Sequence, residues 1–379
     1  MRGSGLPSAS LPSCPCRILL GNKNGKGNSM NSFVTEIFSQ PESLAKTLDY
    51  YVSDEGKKRL KAVKGLIEKG NYKKIVFTGM GSSYFTSYAA SCFLNAAGIQ
   101  AFAINTNELL YYHFSVITPE TLVVCLSQSG ESAEIVKLIQ KLPDASRIIG
   151  VTNEEKGTLA AKSGIALLSK AGVERMTSTK TYTAITLVMA ILGWYLSDCW
   201  NDEKVAQVRQ LIAGTEKLLN KYKNGIGEEL KFLGEIEFLQ FIGRGPSYAS
   251  ALQSELMFKE AAKIAASGTM GGEFKHGPME MVKPGFKSIL FVAEGSTYNQ
   301  SIRMAVDIAK FQGKVLVITN KDPKLSGKNI RVIIADQPDE QLFLIQSIIP
   351  VQLMVNEFGI ANGTTPGDFI HGGKVTVDE

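Results

Sequence analysis

Between residues 74 and 168, short apolar runs rich in β-branched residues alternate with segments whose apolar positions recur at helical spacing. The runs predict strands over Lys74–Thr78, Gln100–Asn105, Thr121–Leu126, Arg147–Thr152 and Ile165–Leu168. The segments between them, Tyr84–Ala97, Asn107–Tyr112 and Ala133–Leu142, predict helices. The strand runs are apolar almost throughout rather than alternating with polar residues, as in strands buried on both faces. Strand–helix alternation of this kind predicts a parallel sheet covered by helices on both sides. In open sheets of that type ligands sit at the carboxyl ends of the strands.

The pattern then repeats. Lys74-Ile75-Val76-Phe77-Thr78-Gly79-Met80-Gly81-Ser82-Ser83-Tyr84 returns as Phe238-Leu239-Gln240-Phe241-Ile242-Gly243-Arg244-Gly245-Pro246-Ser247-Tyr248. Leu126-Ser127-Gln128-Ser129-Gly130 pairs with Val292-Ala293-Glu294-Gly295, and Gly150-Val151-Thr152-Asn153 with Val317-Ile318-Thr319-Asn320. Three matches in one order at a nearly constant offset predict two homologous halves. The expected fold is therefore α/β: two tandem, doubly wound, three-layer αβα domains, over 30–200 and 201–358. Helical preambles are predicted over Asn31–Gly70 and Asp202–Leu233, a closing helix over Thr181–Trp200, and an irregular tail over 359–379 that contributes to the site. Residues 1–29, rich in Ser, Pro and Gly, read as a disordered leader or appended segment outside the fold.

Composition narrows the chemistry. With 44% hydrophobic and 20% charged residues in 379, the chain has material for two ordinary cores. The net charge of +5 is scattered, so a nucleic-acid partner is not expected. The five cysteines, with only Cys14 and Cys16 close together, suggest neither a disulfide framework nor a zinc site, and the three histidines (His113, His276, His371) no His-rich metal centre. No metal or cofactor is expected. The longest apolar segment noted, Ala184–Leu196, is shorter than the ~20 residues of a membrane span and reads as a buried helix, so a cytoplasmic protein without a membrane partner is expected.

The sharpest local signal is Leu126-Ser127-Gln128-Ser129-Gly130-Glu131-Ser132, between a buried strand run and a helix starting near Ala133. Three hydroxyls, a glycine and the free amides of a helix N-terminus form a cradle suited to phosphate. The competing reading is a Ser-rich helix cap, although a cap needs only one hydroxyl. Further hydroxyls lie at Gly81-Ser82-Ser83 and Thr177-Ser178-Thr179-Lys180. By pattern alone Glu260 reads as a solvated helix glutamate and Lys374 as a surface charge, while His276 lies in a Gly-rich loop open to either a structural or a functional role. His113 and His371 read as structural or surface residues.

The Ser-Gln-Ser-Gly-Glu run after a strand resembles the signature of the sugar isomerase (SIS) domain family. The tandem arrangement is similar to the isomerase half of glutamine–fructose-6-phosphate aminotransferases. The similarity runs from about Met30 to Glu379 and includes Ala171-Gly172-Val173-Glu174, Ser178-Thr179-Lys180, Gly243-Arg244-Gly245, Lys259-Glu260, Gly272-Glu273-Phe274-Lys275-His276-Gly277-Pro278 and Lys374-Val375-Thr376-Val377. It implies that Ser83, Ser127, Gln128, Ser129, Ser132 and Ser178, with Ser82 beside them, hold the phosphate and hydroxyls of a sugar phosphate. It further implies that Glu260 moves a proton between C1 and C2, that His276 assists ring opening in a neighbouring subunit, and that Lys374 contacts the open-chain sugar. A homodimer with a shared site follows from the same resemblance.

Two departures stand out. The family's synthases carry a Lys three residues before the base, where this chain has Met257, and a tail one residue longer after the Lys. Their glutaminase domain has no counterpart in the segment before the first strand, so glutamine-dependent synthesis is not expected. The expectation is the opposite direction: an amino-sugar phosphate similar to glucosamine 6-phosphate is isomerised and loses ammonia to give fructose 6-phosphate. Alternatives are a fructosamine-6-phosphate deglycase, a plain aldose–ketose isomerase, and a non-catalytic sugar-phosphate sensor.

Overall fold

A computed structural model describes residues 31–144 and 147–376; the leader at 1–29 and the end of the tail, Val377–Glu379, lie outside them. The first sheet contains β1 (Lys74–Gly79), β2 (Ala101–Asn105), β3 (Thr121–Leu126), β4 (Ile148–Thr152) and β5 (Ile165–Leu168), in the order β2-β1-β3-β4-β5. The second contains β6 (Phe238–Gly243), β7 (Ala265–Met270), β8 (Lys287–Val292), β9 (Lys314–Thr319) and β10 (Ile330–Ile334), in the order β10-β9-β8-β6-β7. Read from its other edge, the second sheet repeats the order of the first, so the sequence repeat is a repeat of topology. Every pairing is parallel; Ile75, for example, lies between Ala101 and Leu122. In each sheet the strand order reverses at the first strand, beside β3 or β8, the point at which sheets of this kind form a crevice at the carboxyl ends.

The predicted strands of the first half lie within a residue or so of the observed ones. The helices needed more correction. The preamble predicted over Asn31–Gly70 is three helices, Ser32–Phe38, Gln40–Val52 and Asp54–Gly70, because the chain breaks at Ser39 and again at Ser53, whose hydroxyl caps the third. The helix leading to Glu260 runs regularly only over Ser247–Met257 and then widens into a π-helical turn, Phe258–Ala262. The last helix, Glu340–Ala361, continues three residues into the predicted tail.

The last helix is longer than the apolar segment Ala184–Leu196 and carries polar side chains along its length. Among the described residues it is the one helix long and apolar enough to cross a membrane, yet 89% of its apolar window is buried inside the protein. It packs against Ser32–Phe38, Lys180–Leu196, Asp202–Lys221 and Ser247–Met257, and its Leu342 and Ile345 enter the core beneath the first sheet. Two of its polar side chains are bonded across the fold: Gln40 Nε2 donates to Gln352 Oε1 at 2.7 Å, with Thr183 Oγ1 in turn donating to Gln40 Oε1 at 3.0 Å, and Asn31 Nδ2 donates to Asn356 Oδ1 at 2.8 Å. Unpaired, each such group would cost about 1–3 kcal/mol, so these bonds fix the register of the central helices.

The turn from β1 into the helix Ser82–Ala96 depends on two glycines. Gly81 adopts φ +50°, which favours glycine. Gly79 has no such φ, but a Cβ on it would stand 2.8 Å from Ser83 Cβ and 3.0 Å from the Leu126 carbonyl oxygen, so strand and helix close on each other only because it has none. Gly79→Ala is therefore expected to lower stability by about 1–3 kcal/mol in denaturant unfolding and to displace Ser83. Unchanged stability would show that the turn accommodates a methyl group.

Candidate functional site

A cavity of about 300 Å³ opens at the carboxyl ends of β1 and β3, the reversal point of the first sheet. Its walls bring together Ser82 and Ser83 from the first helix turn, Ser127, Gln128, Ser129 and Ser132 from the loop after β3, Ser178, Glu260 from the second half, and Lys374 from the tail. Nine of the ten sequence-predicted site residues thus line one space. His276 does not. It is exposed at the end of the short helix Gly271–Lys275, its backbone amide donating to the Glu273 carbonyl at 3.0 Å.

The loop after β3 is built by its own hydroxyls. Ser127 Oγ accepts from the Gly130 amide at 3.1 Å and lies 3.1 Å from Ser132 Oγ, while Ser129 Oγ accepts from the Glu131 amide at 3.1 Å. Glu131 clamps the loop from outside, accepting from the Thr158 amide at 2.6 Å and hydroxyl at 2.9 Å. Gly130, at φ +70°, makes the turn. The helix Ala133–Lys141 then begins with its first amide donating to the Thr376 carbonyl of the tail at 3.1 Å, so the tail caps this helix. Ser127 and Ser129 thus brace the turn ahead of the helix, whose first amide is met by the tail and not by a side-chain cap.

Glu260 stands in the widened turn, half-buried, opposite the hydroxyl loops. Such turns leave main-chain carbonyls without helical partners. Here the Lys263 ammonium bonds the Glu260 carbonyl and Thr364 Oγ1 donates to the Ala261 carbonyl at 3.4 Å, which ties the start of the tail to the turn. Burial pushes the Glu260 carboxyl above the ordinary carboxylate range; the nearby Thr177 hydroxyl and the Lys263 and Lys374 ammonium groups oppose the shift. The Thr177 hydroxyl is buried and makes no hydrogen bond of full geometry. Met257, three residues before Glu260, is wholly buried in the apolar core and takes no part in the cavity.

Lys374 is held by protein groups. Its ammonium donates to Glu174 Oε2 at 2.7 Å and to the Met176 carbonyl at 2.6 Å. Glu174, quoted above only as part of a resemblance, carries no predicted role, nor does Glu134, a buried carboxylate on the cavity wall whose Oε2 has no hydrogen-bond partner. Neither stands out by spacing, because each takes its meaning from chain segments far away in sequence. Among the described residues no group of three or more His, Cys, Asp or Glu side chains converges.

Two parallel sheets of one topology, with a hydroxyl-lined cavity at the reversal point of the first, define a tandem doubly wound α/β protein. Comparison with known proteins carries this further: the SIS domain model matches residues 71–193 and again 236–360, and the chain belongs to the SIS family. Its sequence is 27% identical over 348 residues to the glutamine–fructose-6-phosphate aminotransferase of Pyrococcus horikoshii, covering 90% of this chain and 56% of the relative. The chain thus spans about half the length of the curated relatives it matches. In structure it is similar to the C-terminal domain of glucosamine-fructose-6-phosphate aminotransferase from Francisella tularensis (TM-score 0.79, 24% identity, 91% of this chain and 100% of that one). It is also similar to a glucosamine-6-phosphate deaminase from Thermotoga maritima (TM-score 0.68, 20% identity, 91% and 99%).

If the loop after β3 grips phosphate, Ser127→Ala removes both a donor and the brace of the Gly130 turn. Inorganic phosphate, titrated calorimetrically, is expected to bind about 10- to 100-fold more weakly to this variant. Unchanged affinity would move the anion elsewhere.

Proposed function

We propose that this protein is an enzyme that moves a proton between C1 and C2 of a 6-phosphorylated amino sugar similar to glucosamine 6-phosphate, and that loss of ammonia then gives fructose 6-phosphate. The observation that carries the reading is the single cavity in which a partly buried carboxylate, Glu260, faces hydroxyl loops at the switch point of a parallel sheet. A carbon acid beside a carbonyl needs a base at the carbon and donors at the oxygen. Glu260 is the base in this reading, and the phosphate rests on Ser83, Ser127, Gln128, Ser129 and Ser132, with Ser82 and Ser178 toward the sugar hydroxyls.

In the open-chain substrate, Glu260 takes the C2 proton, electron density shifts to the aldehyde oxygen, and the enolamine accepts a proton at C1. The product is the C2 imine of the ketose. Water adds to that carbon, the C–N bond breaks, and ammonia leaves, so substrate plus water balances fructose 6-phosphate plus ammonia. Lys374 is the cationic donor next to the developing oxygen charge. The preference for an amine over a neutral sugar rests on charge: Glu134 and Glu260 both line the cavity, and Lys374 is already paired with Glu174. An ammonium substituent answers the excess of carboxylates.

His276 enters this reading only through a second copy of the chain, as the ring-opening group of a homodimer with a shared site. The reaction is placed in the cytoplasm, where sugar phosphates are made and used, and it draws on no resident metal or cofactor.

The test is incubation with a panel of 6-phosphorylated amino sugars and fructosamines, with free ammonia and free amino acids assayed. Ammonia from glucosamine 6-phosphate is the expected result. A released amino acid would replace the reading with a deglycase, and interconversion of neutral ketose and aldose phosphates alone with a plain isomerase. Glu260→Gln is expected to keep phosphate binding and lower kcat by about 1,000-fold or more; retained turnover would remove Glu260 from the chemistry.

The raised Glu260 pKa fixes a pH dependence. The base works ionised, so kcat/KM should be full above its folded-state pKa and fall as pH drops through it, placing the acid limb above the ordinary carboxylate range. Folding favours the protonated form of such a group, so the ionised carboxylate opposes folding at higher pH. Glu260→Gln should accordingly melt no lower than the parent at pH 8. An acid limb that survives in the Gln variant's residual activity would assign it to another group.

A further inference from the structure

The carboxylate of Glu174 is completely shielded from solvent and does more than neutralise a lysine. Its Oε1 accepts from the Thr179 amide at 2.9 Å and the Thr181 amide at 3.0 Å, and its Oε2 from the Thr181 hydroxyl at 2.5 Å and the Lys374 ammonium at 2.7 Å. The two amides follow Ser178 directly and open the helix Lys180–Leu196, while Lys374 comes from the far end of the chain. Glu36, buried on the helix Ser32–Phe38, grips the same loop one step earlier, accepting from the Arg175 amide at 2.6 Å and more weakly from Met176 at 3.4 Å. The segment that presents Thr177 and Ser178 to the cavity is thus strung between two buried carboxylates, and the tail lysine lies against one of them and against the Met176 carbonyl.

From this arrangement we infer that Glu174 is a positioning residue for the proposed reaction: it places the Lys374 ammonium in the cavity and, with the same carboxylate, sets the backbone that carries Ser178. An ammonium has three donors. Two are spent on Glu174 and Met176, and the third remains for a substrate oxygen. A buried carboxylate left without its cation is strongly unfavourable, so Glu174 also determines where the tail rests. Nothing in this role requires Glu174 to touch the substrate. The inference rests on the sugar-phosphate reading of the cavity only for its kinetic consequence; the docking of Lys374 stands apart from it.

Glu174→Gln separates the two functions. The amide oxygen can still accept from the Thr179 and Thr181 amides, but the amide nitrogen meets the Lys374 ammonium donor to donor. A brief pulse of acetic anhydride, with acetylation at Lys374 read by mass spectrometry, is expected to label the variant about tenfold faster than the parent, as the loss of one buried charge-assisted bond implies. Inorganic phosphate should bind both proteins within about twofold, because the Ser127 loop is untouched.

With an active substrate from the panel, kcat should fall about 100-fold with little change in KM, the scale of a misplaced reacting group. Lys374→Ala should lose a similar amount, and Glu174→Gln combined with Lys374→Ala should be no worse than Lys374→Ala alone, since the pair acts as a unit. Equal labelling of Lys374 in variant and parent would overturn the inference, as would losses that multiply in the double variant. If no substrate turns over, the labelling arm still decides the docking role, and the reading of the cavity fails on its own. Should Glu174→Gln not fold, Glu174→Asp keeps the charge on a shorter arm: intermediate labelling is expected, and labelling equal to the parent again overturns the inference.

Discussion

The first turn of the helix Ala133–Lys141 has amides that no helical carbonyl can satisfy, and the site is organised by what answers them. The Gly130 and Glu131 amides just before the helix take the hydroxyls of Ser127 and Ser129, and the Ala133 amide takes the tail carbonyl of Thr376. One helix terminus thus shapes the cradle and fixes the chain's end across it. Its placement follows from the strand order, which leaves the carboxyl ends of β1 and β3 side by side with their helices leaving to opposite faces.

The second constraint is electrostatic. Three carboxylates, Glu36, Glu134 and Glu174, are nearly or wholly buried around or behind the cavity, with Glu260 half-buried in its wall. Burying a charge is costly unless it is compensated. Glu36 and Glu174 are compensated by amides, hydroxyls and one ammonium, which makes them part of the scaffold. Burial raises the pKa of Glu36 as well as Glu260, so the two differ in their partners: backbone amides hold Glu36, the Thr177 hydroxyl and the Lys263 and Lys374 charges offset the burial of Glu260, and Glu134 leaves an oxygen with no partner. The difference separates groups that hold the site from groups free to meet a ligand.

Much of this was legible in the chain. The strands of the first half and the halves' kinship came from apolar runs and from a Gly-rich turn that recurs, because a buried parallel strand and a tight turn are both local demands. Ser83, Ser127, Ser129 and Ser132 were legible for the same reason: they lie within a few residues of a strand end. Glu260 and Lys374 were not, on pattern alone, since a glutamate on a helix and a lysine near a chain end are ordinary, and only the resemblance singled them out. The widened turn at Phe258–Ala262 was missed because helical spacing continues through it. Glu174 was missed as a working residue because its partners lie at positions 179, 181 and 374, and no local pattern encodes a meeting of that span.

The helix Glu340–Ala361 has a further consequence for how the chain reaches this state. Its Leu342 and Ile345 belong to the core under the first sheet, so a ribosome that has released the first two hundred residues has not yet released all that seals them. The core of the first half is closed only when a helix from the second half is in place, so the two halves, alike in topology, share one sealing element. Repeated topology therefore does not make the halves interchangeable: the first is built to receive the last helix of the second.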